Sequence, residues 1–244
     1  MTTLIRYSDK NYFGTVYLSK QKIFRKFTDS KNCLSLIKSE YEGQLWYSKM
    51  LNSKSPFPKD FFFRNGQKYV DTLAIEGKKI NFWSSLEKNY VYVENIIDHY
   101  AKIWPKKNHV PCHGDLTLEN IIFFNNKSPR FIDWEHFNIL GEEWGFDLAY
   151  LLVSTITMPS KAKELNMIPS KELYIFENLW KKFVSINNEK RLICKKPFTI
   201  FFKTFKKNKW KIIIKCNKKK LYPFILTNKI INQVHEVTSS TVQS

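Results

Sequence analysis

Cysteine is sparse in this chain of 244 residues: Cys33, Cys112, Cys194 and Cys216 stand far apart, with no C-x-x-C pair and no histidine at zinc-ligand spacing. That excludes a disulfide-stapled mini-domain and a zinc module, and leaves buried free thiols in a reducing compartment as the expectation. No run approaches the roughly 18 apolar residues of a membrane-spanning helix. The opening "MTTLIRYSDKNYFG" has no apolar stretch of the kind a signal peptide carries, so the chain is expected in the cytoplasm. Internal repeats and low-complexity linkers are also missing, which argues against a solenoid or a tethered array.

Acidic residues are short in one region only. The formal net charge is +18, from 40 Lys and Arg against 22 Asp and Glu. Residues 1–160 hold 21 basic and 17 acidic side chains, whereas residues 161–244 hold 19 and 5, so the excess lies late. Within residues 195–220, "KKPFTIFFKTFKKNKWKIIIKCNKKK", eleven lysines and no acid are interleaved with Phe, Ile and Trp. Such a stretch suits an anionic membrane surface, an envelope saccharide or simply solvent. Nucleic acid is the weaker partner, because no recognition motif accompanies the charge.

What is present is core material. Hydrophobic residues make up 43%, with 20 Phe, 12 Tyr and 7 Trp, and 25% of residues are charged. These proportions describe a globular chain of one domain or two small lobes.

Residues 12–27, "YFGTVYLSKQKIFRKF", alternate about a Ser-Lys-Gln-Lys turn as a hairpin does. "NCLSLIKSEYEGQLWYSKML" spaces Leu34, Ile37, Tyr41, Leu45 and Met50 for one helix face, and "FFFRN" and "YVDTLAIEG" read as short strands. From about residue 80 the pattern is helical: "NFWSSLEKNYVYVENIIDHYAKIW", then a nearly all-apolar "FDLAYLLVSTI" and an amphipathic "ELYIFENLWKKFVSI". "FILTNKIINQVHEV" reads as a last helix and "TSSTVQS" as a frayed tail. The expected organisation is α+β in two lobes, a β-rich N-terminal lobe over 1–78 and a larger helical lobe over 79–244.

The densest chemistry lies in "VPCHGDLTLENIIFFNNKSPRFIDWEHF", residues 110–137. Asp115 and Asn120 lie on a loop leading into "IIFF", and Asp133 follows "RFI" after a short turn. Two strands joined by a turn bring their outer ends together, so Asp133 returns to the neighbourhood of Asp115 and Asn120. A carboxylate and an amide oxygen facing one point are hard ligands suited to Mg²⁺, and a second carboxylate slightly apart can take a proton from a hydroxyl. This is equipment for phosphoryl transfer, in which positioning and charge neutralisation carry the catalysis.

The series H-x-D, an Asn five residues on, Ile-Asp-Trp-Glu after a hairpin and then "GEEWGFDLAYLL" resembles the choline kinase and aminoglycoside phosphotransferase superfamily over residues 110–153. The resemblance implies a two-lobed, protein-kinase-like fold, ATP and Mg²⁺ as cofactors and a small-molecule hydroxyl acceptor. Asp115 would be the catalytic base, and Asn120 and Asp133 the metal ligands. Glu135 would stand behind the metal or face substrate, unless simply solvent-exposed. His113 would brace the loop, and Asp147 would hydrogen-bond it from the following helix unless it is an ordinary N-cap.

In the N-terminal lobe such a fold needs a cation on the third strand and a helix glutamate. Lys26 is the choice over Arg25 and Glu40 the choice over Glu42, while backbone groups from Ala74 to Glu76 in "LAIEGKKI" resemble the hinge that meets adenine. One departure stands out: "SDKNYFGTV" has the single Gly14 where protein kinases have a Gly-rich loop, which leaves ATP against GTP open. The acceptor is open too. Choline would call on aromatic Trp134, Trp144 and Tyr150 by cation–π contact and on acidic Glu135, and a sugar would suit the Lys-rich segment. Polycationic aminoglycosides fit poorly with five acids in residues 161–244. A binding module without turnover is the remaining alternative.

Overall fold

The computed structural model describes residues 2–8, 13–52, 58–64, 67–125, 128–157, 167–187, 192–204 and 227–241. Most of the Lys-rich segment, residues 205–220, and Cys216 lie outside the described residues; Cys33, Cys112 and Cys194 are buried free thiols.

The expected hairpin is present as β2 (Phe13–Leu18) and β3 (Ile23–Thr28), turning at Lys22, which takes the left-handed conformation at φ 50°. It lies inside a five-stranded antiparallel sheet in the order β1-β2-β3-β5-β4, with β1 at Thr2–Ser8, β4 at Pro58–Arg64 and β5 at Gln67–Leu73. Helix α1 (Leu34–Met50) packs on β3 and β5. Its buried face is not the expected one. Leu36, Ile37, Glu40, Gly43, Gln44, Tyr47 and Ser48 point inward, while Tyr41, Leu45 and Met50 are only partly covered. Polar residues on the inner face displaced the periodic reading.

The chain leaves β5 at Leu73 and enters a second sheet at β6 (Lys78–Lys79), which pairs with β8 (Ile121–Phe124); β8 in turn pairs with β9 (Ser128–Phe131). Only Ala74–Gly77 separate the two sheets. Beyond lie α2 (Leu86–Ile103), α3 (Phe146–Thr157) and α4 (Ser170–Asn187). α2 buries Leu86, Val93, Ile96, Ile97, Tyr100 and Ile103, the three-and-four spacing of a one-sided helix. Every residue of α3 is buried, and the hydroxyls of Ser154, Thr155 and Thr157 bond back to their own helix, so a polar sequence survives there without outside partners. α4 buries Phe176, Leu179, Trp180, Phe183 and Val184 as expected. Its Glu172 accepts the Leu86 N–H at 2.7 Å, capping α2 from a neighbouring helix.

Two short helices, α5 (Leu192–Lys195) and α6 (Pro197–Thr204), precede α7 (Asn228–Ser240). The expected frayed tail begins late: α7 runs to Ser240, with Thr238 buried, and is capped by Thr227, whose side chain accepts from Ile230 N. Among the described residues no helix is long and apolar enough to cross a membrane.

Candidate active site

Register builds the site. In the β8–β9 hairpin Ile121 faces Phe131, and the next rung is Ile132 N–H donating to Asn120 C=O at 3.0 Å. Asn120 and Asp133 therefore flank the mouth of one hairpin. Asp133 holds φ at 65°, a left-handed conformation that Asp tolerates better than most residues. The Asn120 side chain donates Nδ2 to the Asp115 carbonyl at 2.8 Å, with a longer approach to Asp115 Oδ2 at 3.4 Å. Pinning the NH₂ leaves the amide oxygen turned the other way.

The loop holding Asp115 is gripped from below. Asp147, the second residue of α3, accepts the backbone N–H of His113 at 2.8 Å on Oδ2 and that of Gly114 at 2.9 Å on Oδ1. His113 is wholly buried; its Nε2 lies 2.9 Å from Ile132 O, and its Nδ1 receives the Asp115 N–H at 3.4 Å. With the proton on Nε2, that pattern lets His113 tie the Asp115 loop to the strand leading to Asp133. Tyr150, one turn into α3, donates its hydroxyl to Asp115 Oδ1 at 3.0 Å.

On β3, alternation turns Lys26 into the interior and Arg25 away. Arg25 forms a two-pronged pair with Asp71, both bonds at 2.7 Å, and lies over the Tyr69 ring. Lys26 Nζ meets Glu40 Oε2 at 2.6 Å, Asp133 Oδ1 at 2.5 Å and Glu135 Oε1 at 3.2 Å. Burial opposes the charge on Lys26, but Asp133, Glu135 and Glu40 outweigh it and hold the ammonium above the ordinary lysine range. Burial pushes Glu40 up, and Lys26 partly restrains that rise. Glu42, the rival to Glu40, pairs with Lys38 on the outer face.

Behind these residues a cavity of about 240 Å³ opens between the two sheets, reaching from Lys26 and Asp133 past Thr72 to Leu73, Ile75 and Ile122. Its lining combines aliphatic and aromatic side chains with the polar Lys26, Glu40, Gln44, Thr72 and Asp133.

Several expectations are corrected here. Trp134 and Trp144 are 0% and 1% exposed and Tyr150 1%, so none offers a ring face to a choline cation. Trp134 instead donates its indole N–H to Phe131 O and packs among Tyr47, Trp104 and His113. Glu135 is buried and meets Lys26, which also meets Asp133, so simple solvent exposure is the alternative that falls away. Within the stretch from Ala74 to Glu76 expected to meet adenine, Ile75 lines the cavity. Ala74 N–H donates to Lys22 O at 2.7 Å, and Glu76 pairs on the surface with Lys22 Nζ. The hinge residues on the cavity are Leu73 and Ile75, as strand-like alternation dictates.

Asn120 and Asp133 could hold a divalent cation. Among the described residues no three acidic, histidine or cysteine side chains form a metal cage. Three carboxylates around one ammonium also leave an excess of negative charge for such an ion to balance.

Residues 71–169 match the model of the phosphotransferase enzyme family. The matched stretch contains Asp115, Asn120, Asp133 and Asp147. Among solved structures, an aminoglycoside phosphotransferase from Streptomyces rimosus is 14% identical, with a TM-score of 0.53 over 77% of this chain and 86% of that one. An ethanolamine kinase from Plasmodium vivax is 13% identical, with a TM-score of 0.49 over 99% of this chain and 81% of that one. The first shows the kinase-like fold. No curated protein sequence matches the chain.

Sequence reasoning missed Gln44, Thr72 and the Tyr150 contact with Asp115. A polar residue one helical turn after Glu40 on a helix facing the sheet was the available signal for Gln44.

Proposed function

We propose that this phosphotransferase-family protein moves the γ-phosphoryl group of ATP to a hydroxyl of a small molecule. The observation that carries the reading is the convergence of Asp115, Asn120 and Asp133 at the mouth of one hairpin, with Lys26 and Glu40 opposite. In this reading the base occupies the apolar cavity beside Leu73 and Ile75, and Lys26 meets phosphate oxygens after exchanging its contact with Asp133. Asn120 and Asp133 hold Mg²⁺, which neutralises charge on the phosphate chain when bound. Asp115 orients the acceptor hydroxyl and receives its proton as the acceptor oxygen bonds phosphorus and the bond to the ADP oxygen breaks. Asp147 and His113 keep that loop in place.

The acceptor class is an alcohol: choline, ethanolamine or a sugar. Burial of Trp134, Trp144 and Tyr150 withdraws the aromatic argument for choline, so the panel that tests the proposal gives sugars equal weight. ADP release from Mg·ATP is measured across choline, ethanolamine, envelope sugars and aminoglycosides, with Asp115→Asn beside the wild type. One acceptor-dependent signal lost in the variant supports the proposal. Turnover that survives Asp115→Asn contradicts it, as does a melting temperature indifferent to Mg·ATP.

A further inference from the structure

Gln44 is 3% exposed, in the middle of the face that α1 turns to the sheet. Packing alone does not call for an amide there, since Ile37 and Tyr47 fill neighbouring positions of the same face with apolar volume. Both ends of the amide are in use. Nε2 donates to Glu40 Oε1 at 2.5 Å and to Thr72 Oγ1 at 2.7 Å, and the Thr72 hydroxyl donates back to Oε1 at 2.9 Å.

Glu40 in turn divides its two oxygens, Oε1 to Gln44 and Oε2 to Lys26. Lys26 continues to Asp133. One hydrogen-bonded chain therefore runs Thr72–Gln44–Glu40–Lys26–Asp133. Thr72, Gln44, Lys26 and Asp133 all line the cavity, with Thr72 and Asp133 at opposite ends of the hydrogen-bonded chain. A carboxylate held by a single partner can rotate about its last bond. Held on both oxygens, it presents Oε2 to Lys26 in one orientation.

We propose that Gln44 is a positioning residue: it fixes the Glu40 carboxylate, and through it the Lys26 ammonium, while anchoring both to Thr72 at the base end of the cavity. It touches no phosphate in this scheme and governs the grip on phosphate from a distance. The inference rests on the nucleotide reading given above.

The test needs no acceptor. Binding of Mg·tripolyphosphate, which has no base, and of adenosine, which has no phosphate, is measured by calorimetry on the full chain. The proteins are wild type, Gln44→Leu, Lys26→Met and the double variant. Gln44→Leu should weaken tripolyphosphate about tenfold, the scale of one hydrogen bond to a charged group. In the Lys26→Met background the same change should add nothing, because the ammonium it positions is gone. Additive losses would mark a general structural role and overturn the proposal. So would a Gln44→Leu protein that binds tripolyphosphate like the wild type and loses only adenosine, which would make Gln44 a cavity wall. Thr72→Val leaves residue 44 native and guards against a variant that misfolds; it should weaken tripolyphosphate about threefold, and no change there would overturn the anchoring. A wild type that binds neither probe would fail the nucleotide reading itself, a result distinct from all of these.

Discussion

Tyr150 donates its hydroxyl to Oδ1 of Asp115 at 3.0 Å from the fully buried helix α3. Burial and the adjacent Asp115 charge hold the Tyr150 hydroxyl well above the ordinary tyrosine range, so it remains a donor throughout the working pH range. One oxygen of Asp115, the proposed base, is thereby fixed by a rigid element. Tyr150→Phe keeps the ring and removes the donor. The expected result is a kcat for ADP formation lowered about tenfold with the nucleotide KM unchanged, because the contact acts on the base and not on ATP. Steady-state kinetics with the acceptor found in the panel checks it.

Asp133 meets Lys26 in the structure and would face the metal in the proposed complex. Asp133→Asn keeps a residue type that accepts the left-handed conformation at φ 65° and removes the charge. The variant should stay folded but lose most of the rise in melting temperature that Mg·ATP confers, while ATP with EDTA should affect variant and wild type alike. A thermal melt in the four conditions decides it.

Gly43 brings α1 against the loop after Asp133. A Cβ there would lie 2.7 Å from Trp134 Cβ and 2.9 Å from Phe137 Cβ. Gly43→Ala should therefore destabilise by about 1–3 kcal/mol through overpacking, despite the higher helix propensity of alanine. Urea unfolding measures the loss. Because Glu40 is on the same helix, tripolyphosphate binding should weaken as well.

His99 joins α2 to α1 through Tyr47, whose hydroxyl lies 2.9 Å from His99 Nε2 and 3.4 Å from the Phe131 N–H it accepts. Burial lowers the His99 pKa to about 4, with Arg130 and Lys102 adding repulsion. The unfolded chain takes up this proton near pH 6.5 and the folded chain only near 4. Above about pH 6.5 the group has no effect, and as pH falls from there towards 4 the unfolded state binds more protons and stability drops. By pH 5 the loss should be about 2 kcal/mol. His99→Gln should flatten this part of the profile; urea titrations at pH 7 and 5 would show whether it does.

The sequence revealed the site better where backbone register decides position than where buried polar groups do. Asp115, Asn120 and Asp133 could be placed together because two strands and a turn leave little choice, and the structure closes that hairpin with Ile132 N–H on Asn120 O. Alternation allows only one of Lys26 and Arg25 in a cleft, and the choice of Lys26 came from the family resemblance, where lysine is the usual residue. The inner face of α1 was misread because Glu40, Gln44 and Ser48 occupy it, and a hydrophobic pattern cannot show polar residues that satisfy one another across an interface. Trp134 misled for the opposite reason. An aromatic next to a metal ligand suggests a ligand contact, but its surroundings come from α1, α2 and β9, which local sequence does not disclose.

The four-residue strands Ile121–Phe124 and Ser128–Phe131 give the pair Asn120 and Asp133 the character of a caliper. The gap between Asn120 and Asp133 is measured by backbone rungs, not by the side chains around them. Sequences of different length between Phe124 and Ser128 should leave the jaws unchanged, since everything beyond the last rung is handle. One residue gained or lost inside either strand would rotate one jaw to the opposite side of the sheet.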